Sequence, residues 1–351
     1  MDHVSRRGFL ATAGSLAGAS LLQPESLTAQ SGSTAARTLS LAITEYLRFT
    51  PLGTGAVRGR GFDLDWVRAP RTEILARTLS DPAVHGGETS MLGHLLRLDA
   101  GDRSLVAIPI FLLRNFTARD LYTRTGSTLS PDNLAGRRLG IYNWAASGAV
   151  WYRHLLRYLG LDPKTIEWVV GYADRPGEVV ARAPLPPHVT NAPADKSLTD
   201  LLLTGAIEAM FVPLPPAKYH TTDGPVVRLI PDYRALERRY FTETGCYPPQ
   251  HVLVLREPVW REDTSMGERL LETFNECEAE FTAGQRLYPY STPWLIGEVE
   301  ETEQLMGREF HSHGLAANRK ALDTFCQGAY DDGLTRRRIT VDQYFAEYLA
   351  V

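Results

Sequence analysis

The chain has 351 residues and a formal net charge of −4 at pH 7, so it is long enough for two ordinary domains with cores of their own. The mild negative charge and the lack of a basic stripe argue against nucleic acid as a partner. After the N-terminus no apolar run is long enough to span a bilayer, and the composition is typical of a globular protein.

The first residues are typical of an export signal. Ser5 to Leu10 read Ser-Arg-Arg-Gly-Phe-Leu and precede a weakly apolar run rich in Ala and Gly. Export through the twin-arginine pathway explains this ordered match better than two chance arginines in a tail. Residues 1–36 are therefore predicted to be a twin-arginine signal peptide and linker, cleaved between Ala29 and Ala36. The mature protein is expected to begin near Arg37 and to work in the periplasm or elsewhere outside the cytoplasm.

Apolar or alternating runs of strand length recur along the chain. They predict strands at Thr38 to Thr44, Phe62 to Val67, Leu105 to Phe111, Arg137 to Tyr142, Ile166 to Val170, Ala209 to Val212, Val226 to Ile230 and His251 to Leu255. Helices are predicted at Arg71 to Leu79, Met91 to Leu98, Ser130 to Gly136, Leu198 to Thr204, Tyr233 to Tyr240, Glu268 to Ala283, Leu322 to Tyr330 and Val341 to Leu349. The Pro-rich stretch from Arg175 to Ala194 is predicted to be a loop or hairpin. This succession predicts an α/β fold rather than a β-sandwich.

The stretch from Arg137 to Gly160 is predicted to form a strand, a turn of small residues and a helix. Apolar residues from Val150 to Leu159 have helical spacing, and Gly160 is a natural end for the helix. Asn143 or Ser147 is predicted to cap the helix start, which directs free N–H groups and the positive end of the helix dipole at a cleft. Such a start is a carboxylate or phosphate site in some α/β proteins and binds nothing in others.

The three cysteines are predicted to be buried free thiols. Cys246, Cys277 and Cys326 lie far apart in the sequence, without a Cys-x-x-Cys pair or the spacing of a zinc site. Because twin-arginine substrates are exported already folded, the chain is not expected to depend on disulfides.

Several sequence blocks resemble known families. Ser130 to Arg138, Gly140 to Tyr142 and the Ala-Ser-Gly helix start are similar to the second lobe of type II periplasmic binding proteins. Over roughly Leu39 to Leu349 the chain more closely resembles the 4,5-dihydroxyphthalate decarboxylase family, which shares that bilobal fold. The blocks that carry this resemblance by their order and spacing are Glu88 to Ser90, Ile108 to Phe116, Ala149 to Arg153, Leu229 to Asp232, Thr244 to Val252, Met306 to Phe310 and Gly314 to Arg319.

Two blocks depart from the family pattern. Thr117 and Ala118 stand where the family tends to have Arg-His, and His311 to Gly314 replaces an aromatic-Pro-Tyr-Gly block. If the missing basic pair binds or protonates the substrate, this chain binds a related acid without decarboxylating it. The export signal points the same way, because a phthalate catabolic enzyme is expected in the cytoplasm.

The resemblance implies an α/β, bilobal, type II periplasmic-binding-protein-like fold with a ligand cleft between two α/β lobes. Residues 37–122 together with residues 232–351 are expected to form lobe 1, and residues 123–231 are expected to form lobe 2.

The resemblance also implies loss of CO2 from a dihydroxylated aromatic acid without a cofactor or metal. This chemistry needs cations or N–H groups that hold the acid, and a general acid that protonates the ring carbon. Arg114, just beyond a strand end, and Arg153 are the predicted carboxylate clamps, together with the helix start at Ser147. His251 is the predicted proton donor, and Glu88 is the alternative acid–base group.

These residues also have structural interpretations. Arg153 belongs either to the site or to a solvated helix face, His251 to the site or the core, and Glu88 to the site or a helix cap. Trp144 and Trp151 either stack on an aromatic ring or fill the core. The other predicted substrate-binding residues are Tyr46, Ser90, Phe116 and Tyr142.

His311 and His313 are two residues apart and make a metal site only with Glu309 or His85 as a further ligand. Nothing in the spacing fixes a third ligand, so a surface or packing role is the preferred interpretation.

Two functional hypotheses remain from the sequence. The first is a carboxy-lyase that acts on a small aromatic acid of the phthalate or dihydroxybenzoate type, which the family resemblance favours. The second is an extracytoplasmic solute-binding protein that delivers such an acid to a membrane transporter by hinge closure, without catalysis, which the export signal favours.

Overall fold

The computed structural model of the chain describes residues 37–181, 183–288 and 291–351. The predicted twin-arginine signal and linker, residues 1–36, lie outside these described residues. Two β-sheets with covering helices make up the described part. None of its helices combines the length and the apolar character that a membrane crossing requires.

Each lobe is organised around one sheet. The strands are β1 (Arg37–Ala42), β2 (Phe62–Val67), β3 (Gly86–Ser90), β4 (Leu105–Arg114), β5 (Leu121–Arg124), β6 (Arg138–Ile141), β7 (Glu167–Val170), β8 (Val189–Asn191), β9 (Ala209–Phe211), β10 (Val226–Arg228) and β11 (Pro249–Arg256). The first sheet has the order β2-β1-β3-β11-β4, and the second has the order β10-β5-β9-β6-β7-β8.

Both sheets contain parallel and antiparallel strand pairs. In the first sheet β1 runs parallel to β2 and β3, whereas β11 is antiparallel to both of its neighbours. In the second sheet β6 to β9 form parallel pairs, and β5 and β10 close one edge in antiparallel pairs. Strand β11 returns from the C-terminal half to lie between β3 and β4, so the first sheet combines strands from both halves of the described chain. The predicted bilobal α/β fold is confirmed.

Helices flank both sheets. They are α1 (Thr50–Thr54), α2 (Arg71–Ser80), α3 (Met91–Asp99), α4 (Ser147–Tyr158), α5 (Leu198–Thr204), α6 (Tyr233–Thr244), α7 (Glu257–Glu262), α8 (Met266–Leu287), α9 (Leu295–Met306), α10 (Leu315–Asp331), α11 (Val341–Tyr344) and α12 (Ala346–Leu349). Short 3-10 turns lie at Leu47–Phe49, Ala118–Asp120, Pro131–Asn133 and Pro163–Thr165. Each strand and helix predicted from the sequence has a counterpart among these elements.

Strand β3 is absent from the sequence prediction. Its residues, Gly-Gly-Glu-Thr-Ser, have little β propensity, and the strand forms because β1 and β11 bind it from both sides. Glycine is needed at position 86, since an added Cβ would lie 2.2 Å from the Val254 carbonyl oxygen. Glu88 therefore lies inside a strand, and its interpretation as a helix cap is wrong. Ser90 is the residue that caps α3, because its Oγ accepts a hydrogen bond from Gly93 N at 3.3 Å.

The predicted side-chain cap of α4 is also wrong. The N-cap residue is Ala146, which provides no side-chain hydrogen bond. Asn143 Oδ1 instead accepts from Ala145 N at 2.9 Å within the preceding turn. The Ser147 side chain bonds to another helix, as described below. The predicted end of α4 is confirmed, since Gly160 follows the C-cap residue with a φ of 84°.

One hydrophobic core joins the two lobes. Val150 and Trp151 of α4 belong to the same buried cluster as Val252 of β11 and Phe325 of α10. Helix α10 packs along α4, so the C-terminal helices contact the second lobe as well as the first.

The three cysteines are buried and unpaired, as predicted.

Candidate functional site

Glu88, Ser90 and His251 lie on one face of the first sheet. Ser90 is two residues after Glu88 on β3, and His251 of β11 is paired directly opposite Ser90. The Glu88 side chain is fully buried and contacts His251 Nδ1 through Oε1. Tyr46 Oη donates to the same oxygen at 2.6 Å, and Thr44 N donates to Oε2 at 3.0 Å. The β11 histidine and two donors from the loop after β1 thus converge on one carboxylate of β3.

These contacts keep the Glu88 carboxyl ionised. Burial alone acts to raise its pKa, but the hydrogen bond and charge of His251 and the bonds from Tyr46 and Thr44 outweigh burial and lower the pKa to about 2. Burial and the adjacent Glu88 carboxylate raise the pKa of Tyr46 above its usual range, so this phenol stays neutral. Glu88 is therefore a hydrogen-bond acceptor that orients its neighbours.

His251 is the member of this cluster that can exchange a proton with a ligand. Its Nδ1 faces the Glu88 carboxylate, so Nδ1 carries the proton of that hydrogen bond and Nε2 is left for a ligand. The His251 side chain is 12% exposed, whereas the Glu88 side chain is 0% exposed. The predicted acid–base pair is thus brought together, with histidine as the reachable partner.

Two helix starts meet beside this pair. Ser147 is the first residue of α4 in the second lobe, and its Oγ lies 2.8 Å from Ser90 Oγ at the start of α3 in the first lobe. Leu92 N also donates to Ser147 Oγ at 3.0 Å. The positive ends of both helix dipoles therefore point into the same region, which favours an anion there.

Tyr142 and Gln250 lie close to the start of α4. A Cβ added at Gly148 would lie 2.8 Å from Tyr142 Oη and 3.4 Å from Gln250 Oε1, so the glycine permits this close approach. Sequence reasoning missed Gln250 as a residue of this region. Its position directly before His251 in the Thr244 to Val252 block was the available signal.

Arg114 is buried at the end of β4, directly after Leu113, which is paired with His251. Its guanidinium donates to Tyr247 O at 3.2 Å and to Ser312 O at 3.1 Å, and it also bonds the Asn318 side chain. Burial lowers the Arg114 pKa to about 10. Phe116, two residues later, packs against the Tyr247 ring with 4.9 Å between centroids. The carboxylate-binding role of Arg114 and the ligand-binding role of Phe116 stay predictions.

Arg153 is held in the protein interior. Its side chain is 0% exposed, so the interpretation as a solvated helix face is wrong. Nε donates to Asp332 Oδ2 at 2.6 Å, Nη1 donates to Trp144 O at 3.1 Å, and the guanidinium lies 4.0 Å from the centre of the Trp144 ring. Trp151 is also buried and donates from Nε1 to Pro249 O at 2.7 Å. These contacts favour packing for both tryptophans.

His311 and His313 take packing positions. His313 Nδ1 accepts from Phe111 N at 3.1 Å, and His311 Nδ1 lies 3.3 Å from Arg48 Nη1. Among the described residues no group of three or more His, Cys, Asp or Glu side chains is arranged to hold a metal ion.

Two lobes, each built on one sheet with covering helices, define a type II periplasmic-binding-protein-like fold. The same fold is found in the periplasmic aliphatic sulphonate binding protein of Escherichia coli, at 15% identity and a TM-score of 0.52 over 88% of this chain and 91% of that one. A putative periplasmic sulfonate-binding protein of Methylobacillus flagellatus KT is 13% identical, with a TM-score of 0.50 over 90% and 94% of the two chains. These likenesses concern the fold.

In sequence, the chain is similar to two proteins named 4,5-dihydroxyphthalate decarboxylase. It is 26% identical to that of Comamonas testosteroni over 317 residues, which cover 88% of this chain and 96% of the relative. It is 28% identical to that of Pseudomonas putida over 184 residues, 51% of this chain and 71% of the relative. No protein-family model matches the chain. The resemblance to 4,5-dihydroxyphthalate decarboxylases inferred from the sequence blocks is confirmed.

Proposed function

We propose that the chain is a decarboxylase that binds a small aromatic acid of the phthalate or dihydroxybenzoate type in the cleft. The observation that carries this proposal is the Glu88–His251 pair beside the two helix starts at Ser90 and Ser147. An oriented acid–base group next to an anion-favouring region is what protonation of an aromatic acid requires. The similarity to two named decarboxylases, one over 88% of the chain, supports the same activity.

In the proposed reaction the acid lies with a carboxylate toward the helix starts and its ring toward His251. Electron density from a ring hydroxyl moves into the ring, and the carbon that bears the departing carboxylate takes a proton from His251 Nε2. The bond between this carbon and the carboxylate then breaks, its electron pair restores the aromatic ring, and CO2 leaves. One proton is consumed for each CO2, and His251 regains it from solvent. Glu88 holds the imidazole in place and stabilises its charged form.

The proposal includes the extracytoplasmic location and the two-lobe division predicted from the sequence. The twin-arginine pattern at Arg6 and Arg7 supports export. Replacing both residues by lysine should keep the protein in the cytoplasm, as cell fractionation would show. Recovery of the doubly substituted protein in the periplasm would contradict this route.

A solute-binding protein for the same acid is the second candidate, and the fold of the sulphonate-binding neighbours favours it. A receptor of this class needs lobes that open on a hinge. The core that runs from β11 through α4 to α10 opposes such opening, and it supports the enzyme over the receptor.

Calorimetric titration with phthalate and 4,5-dihydroxyphthalate, followed by a CO2 assay of the same mixtures, separates the two candidates. Binding of the acid together with CO2 release would establish the enzyme, provided that CO2 release is lost in His251→Ala. Tight binding without CO2 would make the protein a receptor for the acid. Neither binding nor CO2 would show that the ligand class is wrong.

A further inference from the structure

A cavity beside α8 is lined by none of the predicted site residues, although Arg114 donates to Ser312 O on its wall. It has a volume of about 640 Å³ and lies between α8 and the segment that joins α9 to α10. This volume is in the range of pockets that bind small organic molecules. Its walls combine apolar side chains, such as Leu271 and Leu315, with a small set of polar groups, among them Glu278, His311 and His313.

Glu278 is the unusual group in this cavity. The residue is 6% exposed, yet neither of its carboxylate oxygens accepts a hydrogen bond from any described residue. Arg48 Nε lies 3.2 Å from Oε1 and His313 Nε2 lies 3.5 Å from the same oxygen, both outside hydrogen-bond geometry. Buried polar groups are nearly always hydrogen-bonded. A carboxylate left in this state, on the wall of an open cavity, is suited to accept from a ligand.

The basic groups near Glu278 are already engaged by other partners. Arg48 donates from Nη2 to the carbonyl oxygens of Phe111 at 3.0 Å and Leu112 at 2.6 Å. Arg286, which also lines the cavity, donates from Nε to Glu303 at 2.6 Å. Burial raises the pKa of Glu278 against the opposing effects of Arg48, His311 and Arg114. Both carboxylate oxygens nevertheless lack a hydrogen bond from these neighbours, and an N–H donor of a ligand can supply one.

We propose that this cavity binds a small organic amine, whose ammonium group donates to the Glu278 carboxylate while its apolar part lies against Leu271 and Leu315. The ligand is opposite in charge to the aromatic acid proposed for the cleft. The cavity is therefore a second binding site rather than a part of the first. Its occupant is selected by one buried charge and by apolar walls.

Benzylamine is a suitable probe, because it joins an ammonium group to an apolar ring. Titration of the purified protein by calorimetry is expected to show saturable binding that weakens at least about tenfold in Glu278→Gln, which keeps the size and removes the charge. Glu280→Gln is the matched control, since Glu280 is an exposed carboxylate of the same helix that is not part of the cavity lining, and the affinity of this variant is expected to equal that of the wild type. Benzyl alcohol, a neutral analogue, should bind more weakly than benzylamine.

Equal affinity of the wild type and Glu278→Gln, or absence of saturable binding to the wild type, overturns the proposal. If Glu278→Gln fails to fold by circular dichroism, Ala316→Trp gives an independent test, because the indole fills the cavity without touching the charge. Ala316→Trp is expected to abolish benzylamine binding, and unchanged binding counts against the site. Since none of these titrations uses the aromatic acid or CO2 release, their failure is distinct from failure of the proposed decarboxylase activity.

Discussion

Glu88 and Asp332 are both carboxylates with side chains less than 3% exposed, and each pairs with a basic side chain. The Glu88 partner is the imidazole of His251, whose side chain is 12% exposed. The Asp332 partner is Arg153, which keeps its charge and is 0% exposed, and Arg157 binds the second oxygen of the same carboxylate. The first pair is the one for which we propose proton exchange with a ligand, whereas the second joins two parts of the protein.

The location of each pair fits this difference. Glu88 and His251 are on neighbouring strands of the first sheet, β3 and β11. Asp332 follows α10 and binds α4, so its ion pair connects the C-terminal helices to the second lobe. Removing one partner of a buried ion pair leaves the other charge without compensation, and the loss of stability is largest when neither side chain contacts solvent. The two pairs should consequently respond to substitution in different measurements.

The largest effect on stability is expected from Asp332→Ala. The substitution leaves the Arg153 guanidinium buried without its counter-ion, which costs about 3–5 kcal/mol of unfolding free energy. Urea denaturation measures the loss. Asp342→Ala is the matched control, because Asp342 pairs with Arg319 on the surface, and its midpoint should hardly move. Equal midpoints for the two variants would show that the Asp332 pair does not hold the helices together.

Acidification is expected to remove the contribution of Glu88 to stability. Its carboxyl has a pKa of about 2 in the folded protein against 4.5 in a model compound, so the stabilisation is complete above pH 4.5 and is lost as the pH falls toward 2. The shift corresponds to at most about 3 kcal/mol. In urea denaturation from pH 6 to pH 2, the gap between the wild type and Glu88→Gln should narrow. A gap that stays constant would contradict the role assigned to this carboxylate.

His251→Gln tests the other side of the comparison. The amide keeps a donor that can face Glu88 but cannot deliver a proton, so CO2 release from the aromatic acid is expected to fall about 100-fold or more. The unfolding free energy should change less than in Asp332→Ala, because the residue left behind is a carboxylate that still accepts from Tyr46 and Thr44. Turnover is followed by CO2 assay and stability by urea denaturation. Retained turnover would remove His251 from the mechanism.

The sequence predicts the strands and helices that have a clear pattern of apolar residues. It misses strands that form only because neighbouring strands pair with them. Strand β4 and helix α4 follow from their apolar runs, and the predicted strand His251 to Leu255 covers the centre of β11. Strand β3 has no apolar pattern and depends on β1 and β11, which are distant in sequence. For this reason Glu88 was named as a candidate without the strand that positions it.

Side-chain partners were harder to predict than backbone elements. The prediction of Arg153 as a carboxylate clamp rested on its helix, which the structure contains, but the sequence has no local sign that Asp332 lies opposite across 179 positions. The pairing of Glu88 with His251 spans 163 positions, and only the family resemblance placed both in one cleft. Long-range contacts of this kind depend on the packing of whole lobes. The residue pattern of a single sequence does not predict that packing.

The smallest expected effect concerns the meeting of the two helix starts. Ser147→Ala removes the oxygen that accepts from Leu92 N, which costs about 1 kcal/mol of unfolding free energy and about fivefold in affinity for the aromatic acid. Ser197→Ala is a matched control, because Ser197 caps α5 through Asp200 N at 3.1 Å and is not one of the predicted site residues. Ser197→Ala should lower the unfolding free energy in urea denaturation by a similar amount. Its affinity for the aromatic acid, measured by calorimetry, should equal that of the wild type. If both variants bind the acid as the wild type does, the helix starts serve packing alone, and the acid must be held by other groups around His251.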